Sequence, residues 1–447
     1  MQAQFRRASG AKCDLGGLLP TNAFRVHCQR DQMTFCRPTV RAFDTRDKGA
    51  DDTRHQRGQM TTDPTAAANA IIQRIRTEPV PNVTAEDAVV LEAVPERTLM
   101  MDKLLAIHYN QAGDMVRALD AAERIFAKEK TSESVKNVGL LLRKLKRYDE
   151  ASEFCTHHRD LYDPIDWNDT MAMIRNETGD TDGAAQHGTR SLELKDAACE
   201  SAPELKPVKR TFNREEPRRN IITFSLWGQD PRYLSGAMKN VVVARYLYPG
   251  WTPRFYIDES VPQAARDYIL QQGGQLVLAP KEWPADRFGL FWRFLVEDDP
   301  DVDFFMVRDA DSVMNIKERA AVEDWLASGR TFHLMRDLPT HSELILAGMW
   351  AAQRGNIGTM SKRVQDHVTG GQRKLGNRIT DQEFLRWKIW PIVRQDVMAH
   401  DAYLDFGNPT RYRDEFHLPA RLHIGQNDFI HQRARKLRQD PSNADRN

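Results

Sequence analysis

The chain has 447 residues, room for roughly two or three domains of ordinary size. Its 40% apolar and 28% charged residues, with a mean hydropathy of -0.61, fit a soluble globular protein. Lys plus Arg (64) all but cancels Asp plus Glu (63), so a net charge of +1 gives no reason to expect nucleic acid or an anionic membrane as partner. No apolar run approaches the roughly 18 residues that a transmembrane segment needs.

Cysteines stand at 13, 28, 36, 155 and 199, with no Cys-x-x-Cys pair. An odd, scattered set is neither a disulfide framework nor a zinc site, and it predicts reduced thiols. The first residues are basic but lack the apolar stretch of a secretory signal, so a cytoplasmic protein is expected. Residues 1–60 show no periodicity and include the charged run from Arg46 to Arg54, which predicts disorder. Met60 opens a different text and is a candidate start.

Residues 61–199 read as helical and repetitive. Ala118, Ala151 and Ala184 recur at a spacing of 33, each after a similar approach: GDMVRA, KRYDEA and GDTDGA. A small residue at this period is what two packed helices need at their closest approach. The pattern resembles tetratricopeptide (TPR) repeats, about three of them, with Pro164 near a repeat end. It departs from that family at Lys146, where Gly is usual, and at most aromatic positions. The resemblance implies a stacking or partner-binding element without chemistry of its own. Residues 200–219, with three prolines and many charges, read as a linker.

From 220 the rhythm changes to strands alternating with helices. Strands are expected at Asn220–Trp227, Pro253–Asp258, Gln275–Ala279, Asp303–Val307 and Thr331–Met335. Helices are expected over Tyr233–Tyr248, Pro262–Gln272, Trp283–Glu297, Ile316–Ser328 and Asp381–Trp387. This order predicts a Rossmann-like, mostly parallel sheet with helices on both faces, occupying 220–432, and a disordered tail at 433–447. Ligands bind beyond the carboxyl ends of such strands.

The fourth of these strands ends in Val307-Arg308-Asp309-Ala310-Asp311-Ser312. In extended chain the two carboxylates point the same way, so Asp309 and Asp311 can share one hard divalent cation, Mg2+ or Mn2+. Such a cation screens phosphates and stabilises a departing nucleoside diphosphate. The order of strands, the Phe291-Trp292-Arg293-Phe294 segment and the VRDADS turn resemble the GT-A class of glycosyltransferases over roughly residues 220–430.

That resemblance implies a nucleotide-sugar donor and a hydroxyl acceptor on a glycan, a lipid-linked sugar or a protein. It assigns Asp309 and Asp311 to metal and diphosphate and Arg293 to the donor phosphates. Ser225, Trp227 and Tyr233, at and beyond the end of the first strand, would contact the nucleoside. On the acceptor side stand Gly348, Met349, Trp350 and Gln382, with Asp381 as the carboxylate that takes the proton from the attacking hydroxyl. Thr380 doubles as a helix cap. A late histidine completes the metal site in some members of the class; His423 is the candidate and His400 its rival.

Neither a P-loop, a Gly-x-Gly-x-x-Gly turn, a His-Glu-x-x-His helix nor a Gly-x-Ser-x-Gly elbow occurs. The competing readings are a non-enzymatic TPR-like scaffold carrying a degenerate transferase domain and, third, a nucleotidyltransferase. The turn Gly228-Gln229-Asp230-Pro231-Arg232 is poorly suited to the triphosphate that the last of these requires.

Overall fold

Small residues at a period of 33 place helices in contact, and the computed structural model, which describes residues 63–77, 82–370, 380–416, 418–419 and 422–427, shows where. The disorder expected for 1–60 and 433–447 lies outside the described residues. Two helices, α1 (Pro64–Thr77) and α2 (Ala85–Glu92), precede three helix pairs: α3 (Leu99–Ala112) with α4 (Met115–Lys128), α5 (Ser132–Lys144) with α6 (Tyr148–His157), and α7 (Pro164–Glu177) with α8 (Thr181–Ala197). Ala118, Ala151 and Ala184 each fall in the first turn of the second helix of a pair, at most 1% exposed. The turns before them repeat as well. Gly113, Lys146 and Gly179 take φ values of +78°, +61° and +85°. Lys146 thus adopts a left-handed backbone that costs an L residue roughly 1–2 kcal/mol, which is why its identity breaks the pattern while its geometry keeps it. Asp114 and Asp180 cap α4 and α8 through backbone N–H groups of Arg117 and Gly183.

The second half is a seven-stranded sheet in the order β3-β2-β1-β4-β6-β5-β7. The strands are β1 (Asn220–Leu226), β2 (Thr252–Ile257), β3 (Gln275–Leu278), β4 (Phe304–Arg308), β5 (Phe332–Arg336), β6 (Met349–Gln353) and β7 (Val397–Asp401). Only β6 runs against its neighbours; the remaining pairings are parallel. On one face, α9 (Pro231–Leu247), α10 (Gln263–Gln271) and α12 (Ile316–Ser328) cover Ile222, Phe224, Phe255 and Met306. On the other, Ile221, Phe305, Val307 and Trp350 pack under an aromatic layer of Phe291, Trp292 and Phe294.

That aromatic layer corrects the helix expected over 283–297. A single α turn, α11 (Ala285–Phe288), runs into a tight 3-10 segment, Gly289–Asp298. Phe291, Trp292, Arg293, Phe294 and Val296 are all buried, so packing on several sides sets its pitch, with no solvent face to sustain an amphipathic α-helix. Two strands, β6 and β7, were also missed. MWAAQ of β6 is buried throughout and shows no alternation.

Helices and sheet share an ionic seam. Lys195 of α8 is 1% exposed; its ammonium pairs with Asp169 of α7 at 2.9 Å and Glu343 of the β5–β6 connection at 3.1 Å, and donates to the Ser342 carbonyl at 2.7 Å. Arg386, following the turn α14 (Thr380–Phe384), donates to Glu343 as well. Residues 200–219 are strapped along the sheet: Val208 N–H donates to Asn356 Oδ1 at 2.7 Å and Arg210 N–H to Gln353 Oε1 at 2.8 Å.

A Cβ on Gly188 of α8 would meet the Pro339 carbonyl oxygen at 2.3 Å. Gly188→Ala is therefore expected to destabilise the protein by about 1–3 kcal/mol through overpacking, read as a lower urea midpoint at unchanged slope.

Candidate active site at the ends of two central strands

β1 leads through α9 to β2 on one side, while β4 lies on its other side, so chain connections diverge between β1 and β4. A crevice at the carboxyl ends of two such strands is where an open α/β sheet binds ligands. A cavity of about 450 Å3 opens there. Ser225 and Trp227 come to it from β1, Arg232 and Tyr233 from the first turn of α9, Arg293 from the 3-10 segment, Asp309 and Asp311 from the turn after β4, and Asp381 and Gln382 from α14.

At the centre lies Arg293, 5% exposed. It pairs with Asp309, donates Nη1 to the Arg308 carbonyl at 3.1 Å and Nη2 to Asp381 Oδ2 at 2.8 Å. Its Nε is buried without a hydrogen-bond partner among the described residues. Its backbone is pinned to β1: Ser225 Oγ accepts from Arg293 N–H at 2.9 Å and Thr223 Oγ1 donates to its carbonyl at 3.0 Å. Ser225 thus already has a structural contact where a nucleoside contact was expected. Arg293 is thus a buried charge held from several sides.

The extended geometry expected for Asp309 and Asp311 does not hold. The strand ends at Arg308, and Ser312 N–H donates to the Asp309 carbonyl at 3.2 Å, closing a turn. Both carboxylates still line the cavity. Asp309 faces solvent, 42% exposed, whereas Asp311 is buried and pairs with Arg232. Burial, and then the neighbouring Asp309 charge, push the Asp311 carboxyl above its ordinary value against the pull of Arg232.

Asp381 is buried, and its carboxyl is pushed up to about 6 by that burial; Arg293 opposes the shift and Asp309 adds to it. The native state therefore holds this proton more tightly than the unfolded chain, where the group titrates near its ordinary 3.8. Its contribution to stability is full below about pH 4 and is lost as the pH rises through about 6.

Trp227 lies flat on Gly289, whose Cβ position is 3.1 Å from the indole, and meets Trp292 edge-on at 5.8 Å. Its ring is within 19° of parallel to Tyr233, centroids 6.5 Å apart, and the Arg232 guanidinium sits 5.0 Å from the Tyr233 centroid. Gly348 backs the site at close quarters, because a Cβ there would fall 2.1 Å from Asp309 Oδ2.

Other candidates lie elsewhere. Trp350 is fully buried between Phe294 and Phe305, so it offers no platform to a sugar. Met349 is buried with Ala321, Met335 and Ile424. Strand β6 turns its side chains into the two cores, and only Ala347 before it lines the cavity. His423 does not join the aspartates: its Nδ1 is 2.8 Å from the Ile424 carbonyl, and among the described residues no three His, Cys, Asp or Glu side chains gather as a metal-binding group. His400 is core, 2.9 Å from His333. Sequence reasoning passed over Arg232, Asp286 and Arg287, which also line the cavity. The first was legible as a helix start, since Asp230 caps α9 and Pro231 occupies its first turn.

No protein-family model matches the chain, and no curated protein does. Among solved structures, it is similar to a mutant O-GlcNAc transferase of Thermobaculum terrenum, with 14% identity, a TM-score of 0.34 and 56% of this chain covered. The chain spans about half of that protein's length, 47%. It is also similar to a 4-diphosphocytidyl-2C-methyl-D-erythritol synthase of Anaerococcus prevotii, with 8% identity, a TM-score of 0.29, and 49% of this chain and 96% of that one covered. Likenesses this slight decide neither fold class nor activity.

Removing the central cation would leave Asp309 and Asp381 facing each other uncompensated. Arg293→Met is expected to cost about 3–5 kcal/mol in chemical denaturation, far more than substitution of a surface arginine.

Proposed function

We propose that the chain is a glycosyltransferase of GT-A type that moves a sugar from a nucleotide-sugar to a hydroxyl acceptor, with TPR-like helices binding the acceptor or a partner protein. The observation that carries this reading is the convergence, in one cavity at the carboxyl ends of β1 and β4, of a carboxylate pair, a buried arginine, a third carboxylate and an aromatic pair. Trp227 and Tyr233 offer flat apolar surface to a nucleobase. Gln382 and Ala347 also line the cavity, and we assign them to the acceptor.

The donor set fits a divalent cation. Three arginines and four aspartates line the cavity, so a diphosphate entering without a counter-ion meets no net positive charge. Asp309 and Asp311 are the residues that would hold Mg2+ or Mn2+, with no third protein ligand assigned. When bound, the cation would screen the diphosphate and stabilise the departing nucleoside diphosphate.

Asp381 is the residue for proton transfer. Its carboxyl, pushed up to about 6, is largely ionised at neutral pH yet basic enough to accept a hydroxyl proton. Arg293 holds it in place and leaves one oxygen hydrogen-bonded to its own helix, at Gln382 N–H, 2.9 Å.

One observation favours the alternative of a retired transferase on a TPR-like scaffold: Asp309 and Asp311 each already have an arginine. Thermal shift with nucleoside diphosphates and nucleotide sugars, with and without Mn2+, separates the two, because a ligand that binds the native state raises apparent stability. The transferase reading expects a Mn2+-dependent shift that Asp309→Asn with Asp311→Asn abolishes. A flat response across the panel assigns the fold to the scaffold. For the active enzyme, kcat/KM should rise with pH through an apparent pKa of about 6. Asp381→Asn should remove that limb and lower kcat by about 100- to 10,000-fold.

A further inference from the structure

The two carboxylates of the turn after β4 have arginine partners of opposite character. Arg293 cannot leave Asp309, since it is buried and also tied to Asp381 and the Arg308 carbonyl. Arg232 can leave Asp311. Its side chain is 32% exposed, and Nε donates to Asp311 Oδ2 at 2.6 Å with Nη2 on the same oxygen.

The backbones beneath that pair are locked. Asp230 Oδ1 accepts from Arg232 N–H at 2.8 Å, fixing the start of α9. One turn on, a Cβ at Gly236 would meet the Ala310 carbonyl oxygen at 2.1 Å, so α9 lies directly on the turn. Asn240 then donates to the carbonyls of Ala310 and Ser312 and accepts from Met314 N–H. Helix and turn move as one piece. With both backbones held, the pair can part by rotation of the Arg232 side chain, which already lies against Tyr233 at the cavity wall.

We propose that Arg232 is the resident counter-ion of Asp311, occupying the cation's place in the unloaded protein and turning onto the donor diphosphate when a divalent cation displaces it. This rests on the transferase reading above. A guanidinium expelled from a buried carboxylate needs a new anion, and a diphosphate accepts its fork of donors. Cation and diphosphate therefore bind cooperatively, each weakly by itself. Coupling of this kind is reciprocal.

The test is Mn2+ binding alone, followed by electron paramagnetic resonance, and inorganic pyrophosphate binding by calorimetry with and without Mn2+. In the wild type Mn2+ alone should bind weakly, and pyrophosphate should tighten it. In Arg232→Gln, Mn2+ alone should bind tighter by on the order of tenfold, while the coupling to pyrophosphate shrinks toward none. Arg232→Lys, which keeps a charge without the fork and serves where the Gln variant fails to fold, should shift both quantities the same way by less. If Mn2+ and pyrophosphate bind the wild type but neither variant tightens Mn2+, the counter-ion role is wrong and the transferase reading stands. If Mn2+ and pyrophosphate bind neither the wild type nor either variant, both fall together.

Discussion

The candidate site in the second half of this molecule is arranged around a guanidinium that water barely reaches. Arg293 is held by two carboxylates and a carbonyl, and its own backbone is stitched to β1 by Ser225 and Thr223. A charge so placed is tolerated only with partners in good geometry, because desolvation costs several kcal/mol per ion. That requirement brings the end of β4, the 3-10 segment and α14 to one point, although they are remote in sequence. Asp309, Asp381 and the aromatic layer take their positions from it.

The same logic recurs at the seam with the helical array. Lys195, as buried as any apolar core residue, is satisfied by Asp169 of its own array and by Glu343 and the Ser342 carbonyl of the β5–β6 connection. Glu343 in turn holds Arg386, just beyond the turn that carries Asp381. One ionic chain thus runs from α7 and α8 to Arg386, two residues beyond α14.

Much of this was legible beforehand where a local rule governs. The helix repeat was visible in Ala118, Ala151 and Ala184, because close helix packing admits only small residues. The first five strands were visible because buried parallel strands read as short apolar runs between helices. The turn carrying Asp309 and Asp311 was visible because it ends one of them. What failed is equally specific. Trp350 was expected on the acceptor side, but burial of an indole depends on which face of β6 meets the core, and β6 has no alternation to reveal it. His423 was the candidate ligand because a late histidine completes the metal site in the class the chain resembles, yet among the described residues it forms no metal-binding group with the aspartates. Segment 283–297 read as one helix, yet nearly every side chain in the 3-10 part of it is buried.

By itself, then, the sequence determined most of the elements and their order, and the expectation of a ligand crevice beyond the carboxyl ends of the strands, since these follow from periodicity, capping and the geometry of parallel sheets. Only the tertiary structure decided the partners. Arg232 lies 79 residues from Asp311 and Arg293 lies 88 from Asp381, and ion pairs across such separations leave no periodic trace in a single chain. They depend on the orientation of strands and helices around a shared interior. The carboxylate pair was readable as a motif; that each carboxylate comes with its own arginine, one buried and the other half-buried, was not.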